Sequence, residues 1–404
     1  MDTIQKIFEQ QFKTLPELFL EKLVEKKLRA EGINPDPAMT QQLIQHILSS
    51  NSDSFFWDDG KAGDVSITLK LTETDVEETE KKFLTSLPKI IEKTTTDIAK
   101  HLLNSLKKDW KEESLYQKEE FRSFNKSLER RWGKALGMLR MLLTISRELG
   151  AKMAELRPSN ESHLNDVLLR LHVRACQVTA EIIVLLENGY ADGAMARWRT
   201  LHEIGIVLVL MREHGEQLAE RYIAHRAVED KSGMDQYALC YEHLGYEKFD
   251  QSECREIEEA YEHAINRYGK DFRGPYGWAA GFVNKGSGRI GLAELEAAAG
   301  RSLMASHYKL ASHNVHAGPQ ALFFRLGLMG ESGLLAGASN AGLTEPGQNT
   351  AITFTLISVL LVGDCINFDR LVIMKIMLQL RNEIPLAFAR AESKLQEDHA
   401  RYSR

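Results

Sequence analysis

Cysteine is scarce in this 404-residue chain: Cys176, Cys240, Cys254 and Cys365, with no pair at zinc-knuckle spacing. That excludes a disulfide framework and leads to the expectation of a reducing, cytoplasmic setting. Long apolar runs are missing too. The most apolar stretch, residues 351–363, is interrupted by Asp364, well short of the roughly 20 residues a helix needs to cross a bilayer. The opening residues, MDTIQKIFEQQFKTLPELF, lack a signal-peptide core. No membrane partner is therefore expected. There is no excess of positive charge either. Net charge is −6, so nucleic acid, if bound, must meet a local basic patch. The short catalytic signatures are absent as well: there is no His-Glu-x-x-His and no Gly-x-Ser-x-Gly, and GSGRIG at 286–291 lacks the Lys-Ser/Thr of a phosphate loop.

What is abundant is apolar side chain, 43% of the chain, enough to build a core. Its spacing is helical almost throughout. Leu18, Leu20, Leu23, Val24 and Leu28 form a stripe, GINPDP at 32–37 breaks it, and a helix resumes over 40–48 with Thr40 as its expected cap. Phe55, Phe56 and Trp57 follow in a loop, and three adjacent aromatics are expected to dock onto the helical body or a partner subunit. VSITLKL at 65–71 alternates and is the strand candidate. Thr72 and Asp75 cap a long helix, with Leu84, Leu87, Ile90, Ile91, Ile98, Leu102 and Leu106 as its expected buried stripe. Residues 164–185 repeat apolar positions every three or four residues, opened by Ser159 or Ser162 and closed by Asn188-Gly189. The short turn after them makes the next helix, capped by Asp192, an antiparallel neighbour. Residues 271–287, rich in Gly and aromatics, read as a structured loop; 330–349 read as mobile; 351–380 read as one or two buried helices broken near 363–367; 390–404 read as a fraying end. The fold expected is mainly α. Residues 1–155 form an N-terminal helical region with at most a small strand element, suited to a partner protein, and residues 156–404 form a C-terminal helical bundle.

The chain is organised around residues 189–211, GYADGAMARWRTLHEIGIVLVLM. Residues 204–211 are uncharged on every face, which marks a buried helix, yet Arg197, Arg199, His202 and Glu203 precede them. Buried charges must be paired. Arg199 and Glu203, four apart, can share a face, which leaves Arg197 needing a carboxylate or an anion. A second segment carries Tyr308, Lys309, Ser312, His313, Asn314 and His316. Three readings stay open. One is a phosphate-binding and acid–base site, one is a non-catalytic scaffold or binding module held by a buried salt-bridge network, and one is a metal-dependent bundle enzyme using His202, His313 and His316. No metal or cofactor is expected under the first two.

Residues 186–203, LENGYADGAMARWRTLHE, followed by YKLASHNVHAGP at 308–319, resemble an uncharacterised bacterial family defined by this helix pair, over about 164–380. More distantly the pair resembles HEPN domains (higher eukaryotes and prokaryotes nucleotide-binding), whose motif is Arg, four to six residues, then His. Arg197 to His202 fits that spacing; Lys309 to His316 fits it with Lys in place of Arg. The HEPN resemblance implies an all-α, dimeric, metal-independent ribonuclease of toxin or defence systems. In it His316 would be general acid/base toward a ribose 2′-hydroxyl. Arg197 or Arg199 and Lys309 would hold phosphate, Glu203 would orient a basic partner, His202 would belong to the catalytic set, and Tyr308, His313 and Asn314 would join Lys309 in binding.

Overall fold

The structure is a computed structural model that describes residues 15–50, 52, 54–58, 68–70, 72–156, 162–283, 290–329, 333–363 and 367–402. Among the described residues every regular element is helical and no strand occurs. Of the 65–71 strand candidate, residues 65–67 and 71 lie outside the described residues and 68–70 form no strand. The chain divides into two compact units, residues 1–117 and 118–404.

In the first unit, α1 (Leu15–Ala30) packs on α2 (Pro37–Ser49) through Val24, Leu28, Leu43 and Ile44. The cap of α2 is Asp36, whose side chain accepts from the Ala38 amide, and Pro37 takes the first helical position; Thr40, the expected cap, is already inside the helix. Asp-Pro wins because proline has no amide to satisfy there. Then α3 (Glu73–Glu155) begins at the expected Thr72–Asp75 pair, where each side chain accepts from the other's amide. Lys27 holds the Asp75 carboxylate at 2.5 Å and keeps its pKa far below the usual carboxylate range. One expectation is met in part and another fails. Phe55 packs on the α1–α2 core and Trp57 is half-buried, while Phe56 is 82% exposed. The α3 stripe is at best half-buried, and Leu84 and Leu106 are exposed, because periodicity reports an apolar face and not what covers it.

The second unit is one large core. Residues 118–155 of α3 bring Leu128, Trp132, Leu139 and Leu142. α4 (His163–Glu187), capped by Ser162, lies along α5 (Ala191–Ala224), and α11 (Thr344–Val362) packs on both. α5 bends at Gly215, where φ is 65°. The Glu216 carboxylate that follows accepts from the first amides of α4, His163 N at 2.7 Å and Leu164 N at 3.1 Å, so one helix bend caps another helix's positive end. α11 approaches α12 (Phe368–Tyr402) closely because Gly347 lies beneath the Phe388 ring, where a β-carbon would come within 2.3 Å. Between α5 and α11 run α6 (Arg226–Leu244), α7 (Gln251–Tyr268), α8 (Leu292–Ala298), α9 (Ala305–His313) and α10 (Pro319–Phe323).

The structured loop is borne out over 271–283: Arg221 donates to the carbonyls of Trp278 and Gly277 and lies over the rings of Tyr268, Phe272 and Phe282. Other details differ from the sequence reading. Asp192 does not cap α5; it accepts from the Leu326 amide. Residues 339 and 340 are anchored, Ser339 N on the Gly189 carbonyl and Trp132 Nε1 on the Asn340 carbonyl, and α11 already begins at Thr344, so the expected mobile stretch is fixed in part by backbone hydrogen bonds. The break near 363–367 holds, with residues 364–366 outside the described ones. α12 continues to Tyr402 instead of fraying from 390.

Candidate functional site

α5 directs its polar residues to different neighbours, because consecutive residues turn about 100° around a helix. Arg197 faces α4, where its guanidinium pairs with Glu181 and also donates to Thr200 Oγ1 at 3.2 Å. Trp198 reaches α11, its indole donating to Thr353 Oγ1 at 3.1 Å. His202 is buried against α8, with Nε2 and Glu296 Oε1 2.8 Å apart. Burial pushes the His202 pKa down, against the pull of Glu296, and the charge of Arg301 adds to the lowering. This favours a neutral imidazole that donates from Nε2.

Arg199 and Glu203 face α9. They meet there through a third group that the sequence reading placed nearby but not between them. Arg199 donates to the Tyr308 hydroxyl at 2.6 Å, and that hydroxyl donates to Glu203 Oε1 at 2.6 Å. The Arg199 guanidinium also lies 4.5 Å from the Tyr308 ring centroid. Burial first, then the hydrogen bond to Glu203, push the Tyr308 pKa up to about 12, so the phenol keeps its proton and relays a neutral hydrogen bond between two charges. Arg199 Nε is buried with no partner. Two more tyrosines feel the same carboxylate: burial and then Glu203 raise the Tyr276 pKa, and burial, Glu229 and Glu203 raise that of Tyr222.

The C-terminal end of α9 carries the remaining candidates. Lys309 is exposed, His313 is half-buried as the last helical residue, and Asn314 is the helix cap with both amide side-chain atoms buried and unpartnered. His316 is exposed one turn later, its backbone amide bonded to the Ser312 carbonyl. Neither the His313 nor the His316 ring makes a hydrogen bond or ion pair among the described residues. His307 is engaged elsewhere, 2.7 Å from Glu345.

The structure thus joins Arg199, Glu203 and Tyr308, and turns Arg197 away to Glu181; His202 pairs with Glu296 while its ring packs 5.7 Å from that of Tyr308. Glu181, Glu296 and Tyr276 were missed by sequence reasoning. The first two are among many surface-like carboxylates in the sequence, and Tyr276 sits in the Gly-aromatic loop, whose composition marked it as structured without saying where it packs. Among the described residues no group of three His, Cys, Asp or Glu is placed to hold a metal ion, so His202, His313 and His316 do not converge on one.

A hollow lies apart from this cluster, between α3 and α4, a groove of about 950 Å³ walled by Leu169, Val173, Ala180 and Val184. At its edge Cys176 Sγ is 3.8 Å from His172 Nδ1. Burial pushes the thiol up to about 11 and the imidazole down to about 4. Both are neutral at physiological pH and do not form a nucleophile–base pair.

Residues 165–333, which include α5 and α9, match the model of a family of unknown function, DUF5677. No curated protein and no solved structure matches the chain. No described helix is long and apolar enough to cross a membrane.

Proposed function

We propose that the chain is a metal-independent endoribonuclease, a cytoplasmic HEPN-like effector of bacterial defence or toxin type that acts as a homo-oligomer, with RNA phosphate bound at the α5–α9 face. The observation that carries this reading is Arg199. Its guanidinium is half-buried, its hydrogen-bond partner is a neutral phenol, and its Nε has none. A cation desolvated to that degree and left with free donors favours an anion. Lys309 adds exposed positive charge on the neighbouring helix, and the exposed imidazole of His316 is a group able to accept and donate a proton. In the reaction the 2′-oxygen bonds to the adjacent phosphorus while the bond to the 5′-oxygen breaks. His316 takes the 2′ proton, a solvent proton goes to the 5′-oxygen, and the products are a 2′,3′-cyclic phosphate and a 5′-hydroxyl. Arg197 and His202 are spent on Glu181 and Glu296 and serve this reading only as supports.

Those two pairs also favour a second reading, a scaffold whose polar residues fix helix register. Incubation of the full chain with end-labelled single-stranded RNA in EDTA separates the two. The nuclease reading expects cleavage that disappears when the 2′-hydroxyls are replaced by hydrogen. Intact RNA, or equal cleavage of the deoxy substrate, contradicts it.

A further inference from the structure

The helical hairpin of α6 and α7 differs in charge from the rest of the molecule. Residues 226–268 hold eleven Asp and Glu against five Lys and Arg, a net −6, which equals the net charge of the whole chain. All eleven carboxylate residues are exposed. Asp230 and Asp235 are paired with Arg226 and Lys231 one turn away, and Asp250 and Glu253 form the capping box of α7. No ion pair among the described residues engages Glu247, Glu256, Glu258, Glu259 or Glu262.

Apolar surface is exposed on the same hairpin. The hairpin reaches the main core through Val228, Ala264 and Ile265, near its base. At the other end, around the turn at Gly245, Leu239 is 78% exposed, Leu244 58%, Tyr246 60% and Phe249 37%. The rings there are ordered against one another. Tyr237 lies parallel to Tyr241 and Tyr246, with centroids 6.0 and 6.4 Å away, and 4.5 Å from Phe249. The Tyr237 hydroxyl donates to the Glu247 carbonyl at 2.6 Å and fixes the turn. An ordered aromatic platform left uncovered, with aliphatic side chains beside it, is costly for a free surface and marks an interaction site.

Charge decides the occupant. A field of exposed carboxylates repels nucleic acid and acidic surfaces, attracts cations, and places tyrosine faces where Lys and Arg heads settle. We infer that the tip of the α6–α7 hairpin is a docking surface for a basic amphipathic segment of a partner protein, with apolar side chains on the Tyr–Phe platform and Lys or Arg heads among the carboxylates. This surface is distinct from the α5–α9 face and does not depend on any catalytic role.

The test uses the full chain and a fluorescein-labelled helical peptide of Lys and Leu with one apolar face, read by anisotropy. Two controls accompany it, a scrambled peptide of the same composition and a Glu-for-Lys version. The wild type is expected to bind the amphipathic basic peptide most tightly, with affinity falling as salt rises. The triple variant Leu239→Ser, Leu244→Ser, Tyr246→Ser should keep its circular dichroism and melting temperature, because these side chains are exposed, and lose about tenfold or more in affinity. A second variant, Glu242→Gln with Glu247→Gln, should lose the salt dependence in part. Equal binding by the triple variant, or equal binding of the acidic or scrambled peptide, overturns the inference. So does concentration-dependent self-association that the triple variant abolishes, since a second copy would then be the occupant.

Discussion

Arg199 contacts Tyr308 in two ways, through a 2.6 Å hydrogen bond to the hydroxyl and by lying 4.5 Å from the centroid of the same ring. The hydroxyl in turn donates a hydrogen bond to Glu203 Oε1. Tyr308→Phe keeps the stacking and removes the relay, leaving charged groups on either side with a lost partner. A loss of about 1–3 kcal/mol in stability is expected, measured as a lower midpoint in urea with an unchanged slope. An unchanged midpoint would mean that Arg199 and Glu203 close directly on each other.

The buried pair of α5 and α8 should respond unequally to its two truncations. His202→Ala strands the Glu296 carboxylate in the interior and is expected to cost about 3–5 kcal/mol. Glu296→Ala strands a neutral imidazole N–H, because burial pushes the His202 pKa down, and should cost about 1–3 kcal/mol. Thermal unfolding of both variants decides the order; the reverse order would show a charged imidazole.

Glu216 gives the fold a defined acid sensitivity. Burial pushes its pKa up, but hydrogen bonds from the Leu164 amide, the Ser162 hydroxyl and His163 outweigh it and bring the value from 4.5 to about 2. A carboxyl with a lower pKa folded than unfolded stabilises the fold above its unfolded pKa, and that contribution is lost as pH falls through the folded value. Glu216→Gln should therefore lower the melting temperature at neutral pH, and the gap to wild type should narrow between about pH 4.5 and 2. A gap independent of pH would contradict the cap.

Gly347 should tolerate no side chain. A β-carbon there meets the Phe388 ring at 2.3 Å, so Gly347→Ala must push α11 and α12 apart, at a cost of about 1–3 kcal/mol. Differential scanning calorimetry of the variant checks this, with an unshifted melting temperature as the contrary result.

The helices that frame the site were legible in the sequence, because α4 and α5 bury regular stripes and their boundaries carry local signals, Ser162 at one end and Asn188-Gly189 at the other. The partners were not. Glu296 lies far along the chain from His202, and nothing local to either residue marks the pairing. The divergence of Arg197 and Arg199 follows from helix geometry, since a two-residue step turns about 200°; which neighbour each meets depends on packing. The stripe of α3 misled for the converse reason: Leu84 and Leu106 have the spacing of a core face and no described cover. The fraying expected after residue 390 rested on polarity, whereas α12 buries Ala391 and Leu395 on one side.

Single-turnover cleavage of single-stranded RNA in EDTA by the wild type and by His316→Ala separates a nuclease from a scaffold. His316 is exposed and bonded to the fold through its backbone, so the variant should melt as the wild type does while its rate falls by about 10²–10⁴-fold, the usual worth of a general acid–base group. Equal rates in the two proteins, or no cleavage by the wild type, would rule out His316 catalysis and leave the α5–α9 cluster as a device that fixes helix register.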